Sequence, residues 1–296
     1  MPGFWCCWRL AKAEERSHNT PMSTMYLLLF DVGNTNTKIG LSQDGRLLGS
    51  YSFPSSTADT ADTWGFRVLE ICRYWELAPE KLTAWIISSV VPPLNDALKV
   101  AGDRFCACPV HFVPKDIGVP LENHYARPQE VGADRLVTAL AARRRFATPA
   151  IIVVDFGTAT TFDCIQDKAY LGGLICPGVL SSAKGLALQT AKLPQISLEL
   201  DSDEVQIGMS TSTSLNHGFL FGFASMIEGL CARIQKHLFG EVTVVATGGF
   251  GRRLQPVCPC LEHVEPDLLL QGLQYAADQL SCDILGGQPS SSQRRS

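Results

Sequence analysis

Two short stretches hold the residues best suited to chemistry: FDVGNTNTK, with Asp31, Gly33, Asn34, Thr35, Thr37 and Lys38, and VDFGTATTF, with Asp155, Gly157, Thr158 and Thr160. Each sets an Asp at the end of an apolar run, a Gly two residues later, and Thr or Asn behind it. Glycine lets backbone approach a ligand closely, and hydroxyl and amide groups donate to anionic oxygens. A carboxylate is poorly placed against phosphate but suits a hard cation or its water shell. One such turn alone reads as the closing turn of a β-hairpin, because short Gly-containing motifs are common. Two of them, a domain apart, read as loops that clamp a nucleotide triphosphate, with Lys38 adding a point charge. A third turn, VVATGGFG with Thr247, Gly248 and Gly249, offers side-chain-free backbone against which flat ligand surface can lie.

The segment Gly132-Ala133-Asp134-Arg135 opens a helical run. Arg135 is then placed to form a fork with a carboxylate or phosphate, and Asp134 to accept a hydroxyl proton. An N-cap Asp beside a surface Arg is the simpler alternative; the surrounding motifs favour the chemical reading.

The elements that must position these groups are mixed. Tyr26–Phe30, Thr37–Leu41 and Leu47–Phe53 read as a strand meander, with SQDG as one turn. Thr60–Trp75 and Leu94–Ala101 have helical spacing, and Ala84–Val91 is a buried strand ended by Pro92-Pro93. The pattern restarts with strands at Ala150–Gly157, Thr160–Ile165 and Ala169–Ile175, which predicts an internal duplication of a three-stranded unit. A helix over Ser212–Phe239 and a strand over Val242–Gly251 complete the second half, with a boundary near Leu121–Tyr125. Gly172-Gly173 and Pro177-Gly178 shape a pocket or turn the chain, and His217, Phe219, Phe221 and Phe223 read as core or interface packing.

Composition excludes several classes. The chain has 296 residues, 46% hydrophobic and 18% charged, enough for two domains. A net charge of −4, with no basic run longer than Arg143-Arg144-Arg145, leaves no footprint for nucleic acid. No uninterrupted apolar stretch is long enough to span a membrane. Eleven cysteines, several in apolar segments, fit a reducing cytoplasm. The close pairs Cys106/Cys108 and Cys258/Cys260 lack the spacing of zinc ribbons and any accompanying His cluster, so they read as ordinary thiols. Residues 1–25 are expected to be a disordered extension or overextended start, since Arg9 breaks the only leader-like run and Met22 and Met25 offer later starts. The end from residue 285, containing GGQPSSSQRRS, is expected to be a disordered tail.

Taken together, DVGNTNTK, EVGADR, DFGTATTFD, YLGGLICPG, LP followed by IGMST, HGFLFG with IEG, and ATGGFG resemble the type III pantothenate kinase family, from about Tyr26 to about Leu273. That resemblance implies an α/β fold of two ribonuclease H-like (actin-like ATPase) domains, each a mixed β-sheet flanked by helices, over residues 26–122 and 123–284. It implies a homodimer that transfers the ATP γ-phosphoryl group to the terminal hydroxyl of pantothenate, opening coenzyme A synthesis. Asp31, Val32, Gly33, Asn34, Thr35, Asn36, Thr37 and Lys38 would bind ATP phosphates, with Mg²⁺ near Asp31, and Thr158 would also meet ATP. Tyr125, Gly132, Ala133, Asp134, Arg135 and Thr211 would form the pantothenate site, with Asp134 as the base. Asp155 would hold a monovalent cation, K⁺ or NH₄⁺. Met209 departs from the Lys that many relatives carry. A non-catalytic, nucleotide-binding transcriptional accessory protein of the same fold is the alternative, and intact Asp31, Asp134 and Asp155 speak against it.

Overall fold

The apolar run Tyr26–Val32 forms strand β1, buried on both faces, in a computed structural model that describes residues 24–189, 197–199 and 202–286. Most of the expected extension, Leu193-Pro194, and the tail beyond Gly286 lie outside the described residues. Strand periodicity of two sends Leu28, Phe30 and Val32 to one core and Leu27 and Leu29 to another. This is why the run is continuously apolar rather than alternating.

Asn36–Gln43 (β2) and Arg46–Pro54 (β3) complete an antiparallel meander, and Leu82–Ser89 (β4) and Val110–Val113 (β5) add in parallel, giving the order β3-β2-β1-β4-β5. Helices Ala61–Tyr74 (α1) and Pro92–Cys106 (α2) cover one face with Trp64, Val68, Leu94 and Leu98. Phe30 stacks on Trp85 there, with ring centroids 4.8 Å apart. Helix α2 is longer than its apolar spacing suggests. Pro92 and Pro93 open it, where a missing N–H costs nothing, and Ala107 in the left-handed region ends it.

The second sheet repeats the first. Ala150–Phe156 (β7), Ala159–Gln166 (β8) and Ala169–Pro177 (β9) form the meander, and Val242–Gly248 (β10) and His263–Val264 (β11) add in parallel. Glu122–Asn123 (β6) lies on the outer edge beside β9. Val179–Gln189 (α4), Thr211–Gln235 (α5) and the short Gly251–Leu254 (α6) accompany it. A capping box between Ser210 and Thr213 fixes the start of α5.

Ala133–Arg145 (α3) and Leu268–Gly286 (α7) lie against each other between the sheets. Val137 and Leu140 of α3 face the first sheet with Leu270, Leu273 and Ala277 of α7, while Leu136, Ala139 and Ala142 face the second. Helix α7 runs through Leu285 and Gly286, two residues that the sequence placed in the tail.

Candidate active site

Strands β1 and β7 carry Asp31 and Asp155 to equivalent ends of the two sheets, and the turns after them meet. Thr35 Oγ1 and Thr158 Oγ1 are 2.8 Å apart across 123 residues of chain. The turns are closed alike, Gly33 N–H donating to Asn36 O (3.1 Å) and Gly157 N–H to Ala159 O (3.0 Å). The first is one residue longer: Val32 pairs with Thr37, whereas Phe156 pairs with Thr160. Thr37 and Thr160 are therefore equivalent, and both are buried. Their hydroxyls differ in partner: Thr37 Oγ1 bonds Ser55 Oγ at 2.8 Å, whereas Thr160 Oγ1 has no hydrogen-bond partner among the described residues. Val32 is likewise buried, leaving only its backbone to face the turn. Asn34, Thr35, Asn36, Gly157 and Thr158 are exposed.

Two further segments converge on Asp155 and Thr158. Gly248, at φ +81°, comes so close that a Cβ there would lie 2.5 Å from Asp155 Oδ1. Only glycine permits that approach. Thr247 is turned away, donating to Glu265 O at 2.7 Å, so it offers no hydroxyl to a ligand. Helix α4 starts against the second turn, where Ser181 Oγ donates to Thr158 O at 2.7 Å. The unpaired first-turn amides of a helix suit an anion.

Helix α3 brings the third carboxylate. Gly132 is its N-cap, without a side-chain bond, and Asp134 sits in the first turn with Oδ1 accepting from Arg135 N–H at 2.8 Å. Arg135 is not the open fork expected. It is buried, and its Nε donates to Asp163 Oδ1 at 2.7 Å, an oxygen that also accepts from Tyr170 OH at 2.8 Å. Thr161 Oγ1 donates to the other Asp163 oxygen at 3.2 Å. Tyr125 is close enough to act electrostatically on Arg135, and its ring lies over Gly172, where a Cβ would come within 2.9 Å. At Gly173 a Cβ would overlap Phe162 O and crowd an Arg135 nitrogen at 3.2 Å, so this glycine keeps the guanidinium in place. Asp163 is the principal residue the sequence did not single out.

The electrostatics show what the cluster lacks. Burial, reinforced by the charges of Asp155 and Asp134, pushes Asp31 up to about 8, although Lys38 opposes this. Burial, with Asp134 and Asp163 nearby, pushes Asp155 up to about 7, again against Lys38. Asp134 is raised mainly by burial, while the Arg135 amide and guanidinium pull it down. Mutually repelling carboxylates of this kind suit a hard cation. No cage of three His, Cys, Asp or Glu ligands exists among the described residues. The donor set therefore fits a cation carried in with phosphates and water, as Mg²⁺ is when one or two carboxylates hold it.

Two further expected residues, Lys38 and Thr211, have the following surroundings. Lys38 Nζ is held by Asp267 at 2.7 Å and by Pro266 O at 2.8 Å, tying β2 to the start of α7. Thr211 opens α5 and lines an open concavity of about 680 Å³ with Gly208, Met209, Ser210, Ser214 and Leu215. Among the described residues no hydrogen bond joins it to Asp134 or Arg135.

Likeness to solved structures bears on the fold. A Baf family transcriptional activator from Campylobacter jejuni superposes with a TM-score of 0.54 at 20% identity, covering 86% of this chain and 98% of that one. A ROK family glucokinase from Streptomyces griseus gives 0.50 at 14% identity, covering 86% and 99%. The protein is thus a two-domain α/β protein of the ribonuclease H-like, actin-like ATPase architecture. A model of the type III pantothenate kinase family matches residues 27–233. The type III pantothenate kinase of Nitratidesulfovibrio vulgaris (strain DSM 19637 / Miyazaki F) is 54% identical over 252 residues, 85% of this chain and 96% of the relative. That of Myxococcus xanthus is 39% identical over 249 residues, 84% and 96%. The chain belongs to the type III pantothenate kinase family, and its reaction is the ATP-dependent phosphorylation of pantothenate. The accessory-protein alternative gains nothing from the Campylobacter structure, whose likeness concerns the fold alone.

Proposed function

We propose that the γ-phosphoryl group crosses between the two Asp-Gly turns to the terminal hydroxyl of pantothenate, which Asp134 deprotonates. The observation that carries this is the convergence of Asp31, Asp134 and Asp155, with Asp134 acting on both other carboxylates and Asp155 on Asp31, beside turns joined by Thr35 and Thr158. Phosphoryl transfer asks chiefly for positioning and charge neutralisation, so polar turns, cations and one carboxylate near the acceptor suffice.

Thr35, Thr158 and the amides around Gly33 and Gly157 hold the phosphates, with the start of α4 alongside. The cations neutralise charge on the transferring group, the divalent one beside Asp31 and a monovalent one, K⁺ or NH₄⁺, beside Asp155. Asp134 Oδ1 is anchored by the Arg135 amide, and Oδ2 takes the acceptor proton. Burial raises its basicity toward the working pH, as a general base requires. Arg135, held by Asp163, presents its remaining N–H groups to the carboxylate of pantothenate, beside Tyr125.

We further infer a homodimer built on α5. Leu215, Phe219, Phe223 and Met226 of this helix, with Leu186 of α4, line an apolar concavity of about 400 Å³. Nothing lies within 4 Å of where a Cβ would stand on Gly218 or Gly222, so a second helix can approach closely. Thr211 opens the same helix, and we assign it to the substrate site in the assembled dimer. The free cysteines favour the cytoplasm, the acidic balance leaves nucleic acid an unsuitable partner, and no helix among the described residues is long and apolar enough to cross a membrane.

The test is ADP release coupled to a reporter, with Mg-ATP and pantothenate in Na⁺, K⁺ or NH₄⁺ salts, and product mass confirmed. Turnover only with the larger cations supports the site at Asp155. Turnover equal in all three removes it.

A further inference from the structure

The two Cys-x-Cys pairs occupy equivalent places in the repeated halves, and each is joined by a third thiol. Cys106 is the last residue of α2 and Cys108 lies between α2 and β5, with Cys72 of α1 beside them. Cys258 and Cys260 lie between α6 and β11, with Cys231 of α5 beside them. The clusters differ in one respect. Cys72, Cys106 and Cys108 are all buried, whereas the second cluster has two buried members, Cys231 and Cys258, and one partly exposed, Cys260.

The local fold explains the second cluster. Pro259 occupies the second position of a tight turn closed by Leu261 N–H donating to Cys258 O at 3.0 Å, and this folds Cys260 back beside Cys258. Their Sγ atoms are 3.6 Å apart. Cys258 Sγ also lies 3.8 Å from Ala224 O of α5, the alternative acceptor for its one proton. Donation from the Cys231 and Cys258 thiols stabilises a Cys260 thiolate and lowers its pKa, while both donors are raised. A partly exposed thiolate with a thiol in reach behind it is the arrangement of an attacking and a resolving cysteine.

We propose that Cys260 and Cys258 form a thiol–disulfide exchange site, with Cys260 attacking a low-molecular-weight disulfide and Cys258 resolving the adduct. The Cys260 sulfur bonds to one sulfur of the reagent, the reagent's S–S bond breaks, and the departing thiolate takes the proton Cys260 gave up. Cys258 then loses its proton, attacks Cys260 Sγ and expels the second reagent thiolate, which is protonated in turn. Two cysteine thiols are oxidised and one disulfide is reduced to two thiols. The site is independent of the kinase reaction, and nothing in the mechanism above uses these residues.

The experiment treats the native full-length protein with oxidised glutathione, traps remaining thiols with an alkylating reagent and maps the fragments by mass. The expected result is a fragment carrying Cys258 and Cys260 that is two hydrogens lighter and unalkylated, formed at least about tenfold faster than any change at Cys72, Cys106 or Cys108. Cys258→Ala should leave glutathione trapped on Cys260, and Cys260→Ser should take up none at this site. A Cys260 that stays reduced overturns the proposal. So does equal oxidation of both clusters, which signals unfolding. A Cys231–Cys260 bond in the treated protein without substitutions overturns the role given to Cys258.

Discussion

The hydroxyls of Thr35 and Thr158 are in direct hydrogen-bonding contact at 2.8 Å, so the turns that end β1 and β7 touch through one pair of side chains. A triphosphate entering between them replaces one hydroxyl–hydroxyl bond by two bonds to charged oxygens, which are the stronger kind. Thr35→Val and Thr158→Val should therefore each raise the KM for ATP about tenfold, the equivalent of one hydrogen bond to a charged group. Pantothenate KM and thermal stability should change little. Initial-rate kinetics at fixed pantothenate check this, and an unchanged ATP KM in both variants would remove the hydroxyls from the nucleotide site.

Asp134→Asn keeps the shape of the α3 start but cannot accept a proton. We expect kcat to fall by roughly 10²–10⁴, the range for losing a general base, with ATP affinity by calorimetry unchanged. Turnover at the parent rate would leave Asp134 without that role.

Asp163→Asn leaves the Arg135 guanidinium buried without its countercharge. Breaking such a pair costs about 3–5 kcal/mol, which for a protein of this size lowers Tm on the order of 10 °C. Pantothenate KM should rise while ATP KM holds if, as proposed above, Arg135 meets the carboxylate of pantothenate. A fall in Tm with both KM values unmoved would make the network purely structural.

The pH dependence follows from Asp31 and Asp155, pushed up to about 8 and about 7 from 3.8. In the unliganded protein both hold protons that the unfolded chain releases near pH 4. The native state binds more protons across that interval, so stability should fall as pH rises from about 4 to about 8. Mg-ATP should restore it most at the alkaline end, where both carboxylates are charged. Thermal melts across pH, with and without Mg-ATP, read this directly; a melting temperature flat from pH 5 to 8 would contradict it.

Gly222→Arg places a long charged side chain on the apolar face of α5. Light scattering should report a monomer, and a dimer that persists would move the interface elsewhere.

The strand-end aspartates were legible because each follows an apolar run buried on both faces, and the two runs repeat. The register of the repeat was not, since one extra residue before Thr37 shifts the match that FDVGNTNTK and VDFGTATTF suggest. That shift is what hid the burial of Thr37 and Thr160. Asp163 was invisible because its partner lies 28 residues away and its own strand reads as a simple alternation. Lys38 looked free because Asp267 and Pro266 reach it only once α7 folds back across the first sheet. Helix α3 was recognised at its polar start, but its contact with both sheets depends on where α7 lies.

Because α3 and α7 fill the space between the sheets, severing the chain between β5 and β6 would not yield two self-sufficient pieces. The first fragment would expose Leu27, Leu29, Ala84 and Ile86, which pack against Val137 and Leu140 of α3 and Leu270 and Leu273 of α7 in the second. The fragments must then find each other to hide that surface, and Asp134 rides on the helix that joins them. A divided version of this enzyme should regain activity on mixing, making phosphoryl transfer a reporter of fragment assembly.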